Sequence, residues 1–310
     1  MKQRGYRRLP GRQRGVAVVT ALLLTTLAVT IVASLFWQQQ VEVRSIENQR
    51  LQLQTQWILR GALDWTRIIL GEDGRISAAV DHLGEPWAVP LAEIRLDAYV
   101  DNPRAADAAA DARLSGQISD AEGRYNLANL APNGKVDADE VAVFARLLTY
   151  RRQNPALALA TARLMAAAPE SVGQTVGIAC VDDLLAVPGF TPQILAALRD
   201  VVIVLPTVTP INANTATAEV LAARIETLSL DDARALVMRR QRVWFRNIGD
   251  LKTALDGRDL GQSEKKLAVN SSYFLVSGQV RLDRASRMIE ALIERTEATN
   301  PHVLWIRENG

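Results

Sequence analysis

Between Val16 and Phe36 the sequence runs 21 residues without a charge, and twelve of them are Val, Leu, Ile or Phe. A helix there spans roughly 32 Å, close to the ~30 Å hydrocarbon thickness of a bilayer. Those twelve side chains favour insertion by about 4–7 kcal/mol before the opposing Thr and Ser contributions. After Trp37 the apolar run stops but the helix signal does not. Gln, Leu, Arg and Glu dominate, no proline occurs between Val16 and Leu70, and apolar residues recur at Ile46, Leu53, Trp57, Ile58, Leu63 and Ile68. That spacing predicts a loose apolar stripe on one helix. Gly71 and Gly74, around Glu72 and Asp73, predict its end. The result is one helix of about 55 residues, roughly 80 Å long.

The pattern then changes period. Residues 81–90 read as a loop with Trp87 packed into it, residues 91–100 as a strand or short helix, and the Ala/Asp-rich stretch 102–114 as an exposed linker. Leu114, Gly116 and Ile118 alternate with polar positions, Glu122 and Gly123 supply a turn, and Tyr125 and Leu127 alternate again. This predicts a β-hairpin over 114–130. Residues 138–265 read almost wholly helical, with Asp137 as an N-cap, Asp139 and Glu140 complementing the helix dipole, and a further helix start at Thr215 or Thr217. Alternation returns at Tyr273, Leu275, Ser277 and Gln279. Propensity permits a helix at 285–295, but a three-stranded meander ending in "HVLWIRE" fits the tail better. The sheet is then assembled from residues near 114–129 and 272–308, with a helical block inserted between them.

Charge orients the apolar helix. Lys2, Arg4, Arg7, Arg8, Arg12 and Arg14 precede Gly15 without an acid. That +6 flank is expected to stay in the cytoplasm with the bulk of the chain across the membrane. Subtracting those six from the whole-chain net charge of +2 leaves −4 for residues 16–310. The chain beyond the leader is mildly acidic, a poor footing for nucleic-acid binding. A cleaved signal peptide usually has an apolar run of about 7–15 residues and a small-residue cleavage site. Here the run is longer and ends in Phe36, Trp37 and three glutamines. Ala33 and Ser34 leave such a site open, but a retained anchor is the better fit.

Candidate chemistry is sparse. Cys180 is the single cysteine, which excludes an internal disulfide and a thiolate metal cluster within one chain. His82 and His302 are the only histidines and read as surface or loop residues. Gly134, Val136, Asp137 and Glu140 fit the second half of an EF-hand loop, but Asn129, Ala131 and Asn133 stand where carboxylates are needed. Asp107 and Asp111 read most simply as solvated, with a calcium ligand among them left open. No cofactor is required by the sequence, and structural calcium has no support at the level of individual residues. No G-x-S-x-G, H-E-x-x-H, P-loop or G-x-G-x-x-G motif occurs, so a catalytic role finds little footing.

A basic leader ending in Gly15, followed at once by an apolar helix that runs on into a soluble part, resembles the type IV pilins and type II secretion pseudopilins. The resemblance implies cleavage between Gly15 and Val16 by a prepilin peptidase, N-methylation of Val16, and retention of the helix. One departure is informative. The family usually carries glutamate at the fifth mature position, thought to pair with a neighbour's N-terminal amine, and here that position is Thr20. Loss of this glutamate is typical of the large minor pseudopilin of the general secretion pathway protein K family. The segment with Gly123, Arg124, Asn126, Leu127 and Asn129 is also similar to that family's strand, acidic-Gly-Arg turn and Asn-Leu-Asn-like pattern.

Residues 181–200 and 211–255 resemble helix-hairpin-helix modules, which grip DNA phosphates with a Gly-hydrophobic-Gly hairpin. Residues 187–190 offer one glycine, residues 226–232 offer none, and Asp231 and Asp232 would repel phosphate. Arg239, Arg240, Arg242 and Arg246 form a basic patch that reads as answered by nearby acids. A membrane-anchored DNA-binding protein, as in competence, is therefore the rival reading. Protein K carries the same modules as a SAM-like insertion. The resemblance implies an α+β pseudopilin fold. In it a long N-terminal transmembrane and amphipathic helix packs on a small antiparallel sheet that carries a large helical insertion. It divides the chain into a leader (1–15), helix and first strands (16–130), inserted domain (131–265) and closing strands (266–310). It implies a non-enzymatic subunit in the inner membrane, with the N-terminus cytoplasmic and the remainder periplasmic, at the tip of a pseudopilus. Its implied partners are other minor pseudopilins, the assembly platform, the prepilin peptidase and exported proteins.

Overall fold

In the computed structural model a single helix, α1, runs from Arg14 to Ser77. The structure describes residues 14–77, 79–96, 112–167, 178–283, 285–295 and 300–309. Most of the basic leader and both Asp107 and Asp111 lie outside the described residues. The chain separates into two compact units, Met1–Gln54 and Thr55–Gly310.

In the first unit α1 is exposed from Val16 to Arg50, and its 18-residue apolar window has a mean hydropathy of 2.5. The hydroxyls of Thr20, Thr25, Thr26 and Thr30 all turn back onto carbonyls three and four residues earlier, at 2.8–3.0 Å. Each of these hydroxyls in the apolar run is thus satisfied by its own helix, as a lipid environment demands.

In the second unit α1 does not stop at Gly71 and Gly74 as predicted. Two helical glycines cost about 1 kcal/mol each, but Leu70 is fully buried and Arg75 closes on Glu72 one turn back at 2.6 Å. The helix ends where Ser77 Oγ donates to the Glu85 carboxylate at 3.0 Å. The single predicted stripe also divides. Leu59, Leu63 and Leu70 are buried and Ile58 partly so, whereas Trp57 (70% exposed) and Ile68 (67%) point the other way.

The buried face of α1 lies on a five-stranded antiparallel sheet. Its strands are β1 Leu91–Arg95, β2 Ala112–Asp120, β7 Tyr273–Leu282, β8 Ala285–Glu294 and β9 His302–Asn309, adjacent in that order. The predicted meander is therefore present, and 285–294 is strand despite its helix propensity. Two flanking strands each offer it a ladder of hydrogen bonds, and Ile289, Ala291 and Ile293 alternate into the core beneath α1. The predicted hairpin over 114–130 is not present. Strand β2 pairs with β7, about 160 residues away in sequence, while β3 (Tyr125–Asn126) leaves the sheet and pairs in parallel with β4 (Val202–Ile203). Gly116 and Gly278 face each other across β2 and β7; a Cβ on Gly116 would meet Ser277 O at 2.8 Å.

Between β3 and β6 (Leu267–Ala268) the chain folds into six α-helices among the described residues. They are α2 Ala138–Tyr150, α3 Leu157–Ala167, α4 Pro192–Leu198, α5 Ala218–Arg224, α6 Leu230–Arg240 and α7 Ile248–Ala254. Their starts follow capping chemistry. Asp137 accepts from the amides of Asp139 and Glu140, Thr191 from Ile194, Thr217 from Val220, Ser229 from Asp232 and Asn247 from Asp250. The helices enclose one core built on Phe144, Leu147, Leu148, Leu198, Leu221 and Leu251. Asp137 thus serves as the expected N-cap. Glu140 departs from its expected role at the helix dipole: its carboxylate is buried and bidentate to Arg224, at 3.0 and 2.6 Å, and accepts from Tyr125 Oη at 3.0 Å.

Removing one partner of such a pair strands a buried charge, which costs about 3–5 kcal/mol. Glu140→Ala should lower the stability of the second unit by that order, read as a shifted urea midpoint for the full chain. A change below ~1 kcal/mol would show that the pair is not desolvated in solution.

Candidate functional site

The residues that carry structural meaning converge where the sheet meets the helical part. Asp120, at the end of β2, is buried. One carboxylate oxygen accepts from Thr215 Oγ1 (2.6 Å), Ser271 Oγ (2.6 Å) and Asn212 Nδ2 (2.9 Å), and the other from the Glu122 amide (2.8 Å). Asn212 and Thr215 belong to the helical part, at β5 (Ile211–Asn212) and the approach to α5. Ser271 leads into β7. A single carboxyl group therefore joins β2, β7 and the helical part.

The junction extends on both sides. Asp81, just beyond α1, accepts from the Ser271 amide at 2.7 Å and pairs with Arg295 at the end of β8. Arg295 also pairs with Asp73 and lies over the Phe274 ring, 4.5 Å from its centroid. On the other side, the motif residues of segment 123–129 pin a distant loop. Asn126 donates to Thr207 O (2.7 Å) and accepts from the Leu205 amide (3.1 Å). Asn129 exchanges two hydrogen bonds with the Thr209 backbone, at 2.9 and 3.1 Å. Gly123 is needed because a Cβ there would stand 2.8 Å from Thr215 Oγ1. Sequence reasoning singled out Gly123, Asn126 and Asn129 but missed Asp120, Asn212 and Ser271, whose partners lie 59–151 residues apart.

Burial dominates the electrostatics of this junction. Burial pushes Asp120 up, against the hydrogen bonds that favour its ionised form. Burial pushes Asp81 up to about 7 even though Arg295 pulls it down. Glu122 has no such cation; burial and the neighbouring Asp120 raise it to about 8. The Asp73, Asp81 and Glu85 carboxylates bring oxygens within 4.8 Å of one another, a spacing that suits a cation. Arg295 supplies that charge to the first two, while Glu85 accepts from Trp87 Nε1 at 2.8 Å and the His82 amide at 2.9 Å. His82 itself stacks on Trp244, ring centroids 3.9 Å apart.

The other sites expected from the sequence are spread along the chain. Gly15 and Val16 lie in the first turns of α1, and Thr20 one turn on, its hydroxyl bonded to Val16 O and Ala17 O at 3.0 Å. The hairpin-like modules lack a phosphate cradle. The turn before α4 holds Gly189 alone, at φ +102°, and the α6 N-terminus is closed by Ser229, with Asp231 and Asp232 paired to Arg234 and Arg258. The basic patch is less neutralised than its sequence suggests. Arg246 pairs with Asp250 at 2.8 Å, but Arg240 is buried against Ala213 O at 2.6 Å and Arg239 bonds Ala254 O at 3.3 Å.

The C-terminal part of α1 laid on an antiparallel sheet that carries a helical block is the architecture expected of a large minor pseudopilin. Comparison with known proteins agrees. The family model "Type II secretion system (T2SS), protein K" matches residues 211–270, which begin at the junction residue pair Ile211–Asn212 and end one residue before Ser271. A Type II secretion system protein K from Pseudomonas aeruginosa is 27% identical, aligned over 91% of this chain and 89% of its own. The fold matches a chain in the crystal structure of the GspK-GspI-GspJ complex from the enterotoxigenic Escherichia coli type 2 secretion system. That match has a TM-score of 0.68 at 19% identity and covers 85% of this chain and 99% of that one. Along most of its length the chain is thus similar to type II secretion system protein K, and the three matches together support the role of a minor pseudopilin.

The raised position of Glu122 fixes a pH dependence. The folded chain holds a proton that the unfolded chain has released, so this contribution is complete below about pH 4.5 and is lost as pH rises to about 8. Urea midpoints of the full chain should fall across that interval, and Glu122→Gln should flatten the slope. An unchanged slope in the variant would mean that Glu122 is ionised in the fold.

Proposed function

We propose that this protein occupies the tip of a type II secretion pseudopilus, where it initiates assembly with two other minor pseudopilins and caps the growing filament. Thr20 carries the reading. A carboxylate at that position would need a partner in lipid, and a neighbour's N-terminal amine is the partner the resemblance implies. The Thr20 hydroxyl is satisfied by its own helix and makes no such demand. The bulk of residues 131–265, read as an insertion into the pseudopilin sheet, also hinders a further subunit from stacking above.

Trp57 and Ile68 give α1 an exposed apolar face on the side away from the sheet, suited to partner helices. The P. aeruginosa relative and the likeness to a chain of the GspK-GspI-GspJ complex support minor pseudopilins as those partners. In this reading the leader is cleaved after Gly15 by the prepilin peptidase and Val16 is methylated. The helix then sits in the inner membrane with a cytoplasmic N-terminus, against the assembly platform. The periplasmic part meets exported proteins as the filament pushes them outward. The role uses no cofactor, no catalytic residue and no nucleic acid.

Two measurements test it. Subunit ratios in sheared pseudopili should give this chain as a small minority beside the major subunit; near-equal amounts would place it along the shaft. N-terminal sequencing of the membrane form should begin at Val16; a start near residues 34–38 would make the apolar run a discarded signal. A bulky residue at Gly15 should block maturation.

A further inference from the structure

The connection between α6 and α7, residues 241–247, forms one wall of an open cleft of about 910 Å³. Its floor is apolar and solvent-facing: Met238 is 62% exposed, Val243 69% and Trp244 46%. These side chains are not held outward by a loose loop. Asn214 exchanges hydrogen bonds with the backbone of Phe245, at 2.9 and 2.8 Å, and Phe245 is buried beneath. Arg240 anchors the helix end to Ala213 O, and His82 backs the Trp244 ring at an interplanar angle of 15°. The chain therefore builds a rigid platform to display apolar surface.

The rim is positive. Of its arginines, Arg246 is paired with Asp250, Arg239 is held only by the Ala254 carbonyl, and Arg242 has no ion pair among the described residues. This stands against the net −4 of the chain beyond its leader.

We propose that this cleft docks an acidic segment of a partner protein, one aromatic or long aliphatic side chain entering against Trp244 and Val243 while flanking carboxylates meet Arg242 and Arg239. Guanidinium forks bind carboxylates bidentately. Trp, Met and Arg are enriched where binding energy concentrates in interfaces. An apolar patch on a rigid support loses little side-chain freedom on binding. A nucleic acid fits less well: residues 241–247 contain no glycine for close backbone approach to phosphate, and two available arginines release few counterions. The inference concerns the helical part alone and does not rest on tip placement.

The test is selection of a random dodecapeptide phage library on the full chain in nanodiscs, at about 0.15 M salt to screen loose attraction. Enriched peptides should combine two or more acids with an aromatic or Leu. Synthetic copies, read by fluorescence anisotropy, should lose at least about tenfold in affinity to Arg242→Glu and to Trp244→Ala, and similarly when their acids become amides. Arg242→Glu lies on the exposed rim and keeps the fold measurable if Trp244→Ala does not. Peptides that bind Arg242→Glu equally, an absence of patch-dependent enrichment, or displacement of the peptides by a mixed-sequence duplex at the same salt would each overturn the proposal. The last would favour a nucleic-acid ligand.

Discussion

Asp120 is the point on which the second unit depends. A buried carboxyl group is tolerated only when its oxygens are satisfied, and here four donors from three separate parts of the chain converge on it. None of those donors is local except the Glu122 amide. The carboxyl group thus rewards bringing β2, β7 and the entry to α5 together and penalises any arrangement that separates them. A buried polar network of this kind contributes specificity more than net stability.

Around this point the sheet has two dry faces. One packs under α1 through Leu59, Leu63, Phe274 and Ile289; the other, through Tyr273, Leu275 and Leu292, meets Ile203 and Leu205 of the helical part. The helical part has its own larger core and a second buried ion pair, Glu140 with Arg224. What the junction supplies is orientation. Asn126 and Asn129 fix the 205–209 loop, Arg295 ties β8 to the turn after α1, and Asp120 closes the ring.

The sequence showed what is periodic and local. The apolar helix, the tail strands and the caps at Asp137 and Thr217 arise from patterns within a few residues, and the structure has them. What depended on distant partners was illegible. Residues 114–130 carry a hairpin's alternation, but β2 lies between β1 and the distant β7, while β3 leaves to pair with β4. Glu140 has the position of a dipole-complementing acid and becomes a core residue only because Arg224 comes from 84 residues away. The stripe from Ile46 to Ile68 is one pattern in sequence yet two faces in space, and only the packed sheet distinguishes Leu63 from Ile68. At Thr20 the informative feature was a missing charge, visible only against a family pattern.

Hydrogen exchange on the full chain carrying Asp120→Ala tests the coupling at the junction most directly. If the carboxylate holds sheet and helical part as one cooperative unit, amides of β2 and β7 and amides of α5 should lose protection together and by similar factors. Loss confined to one of them, with the other exchanging as in the unaltered chain, would contradict that coupling and leave the two cores joined by no more than their apolar contact.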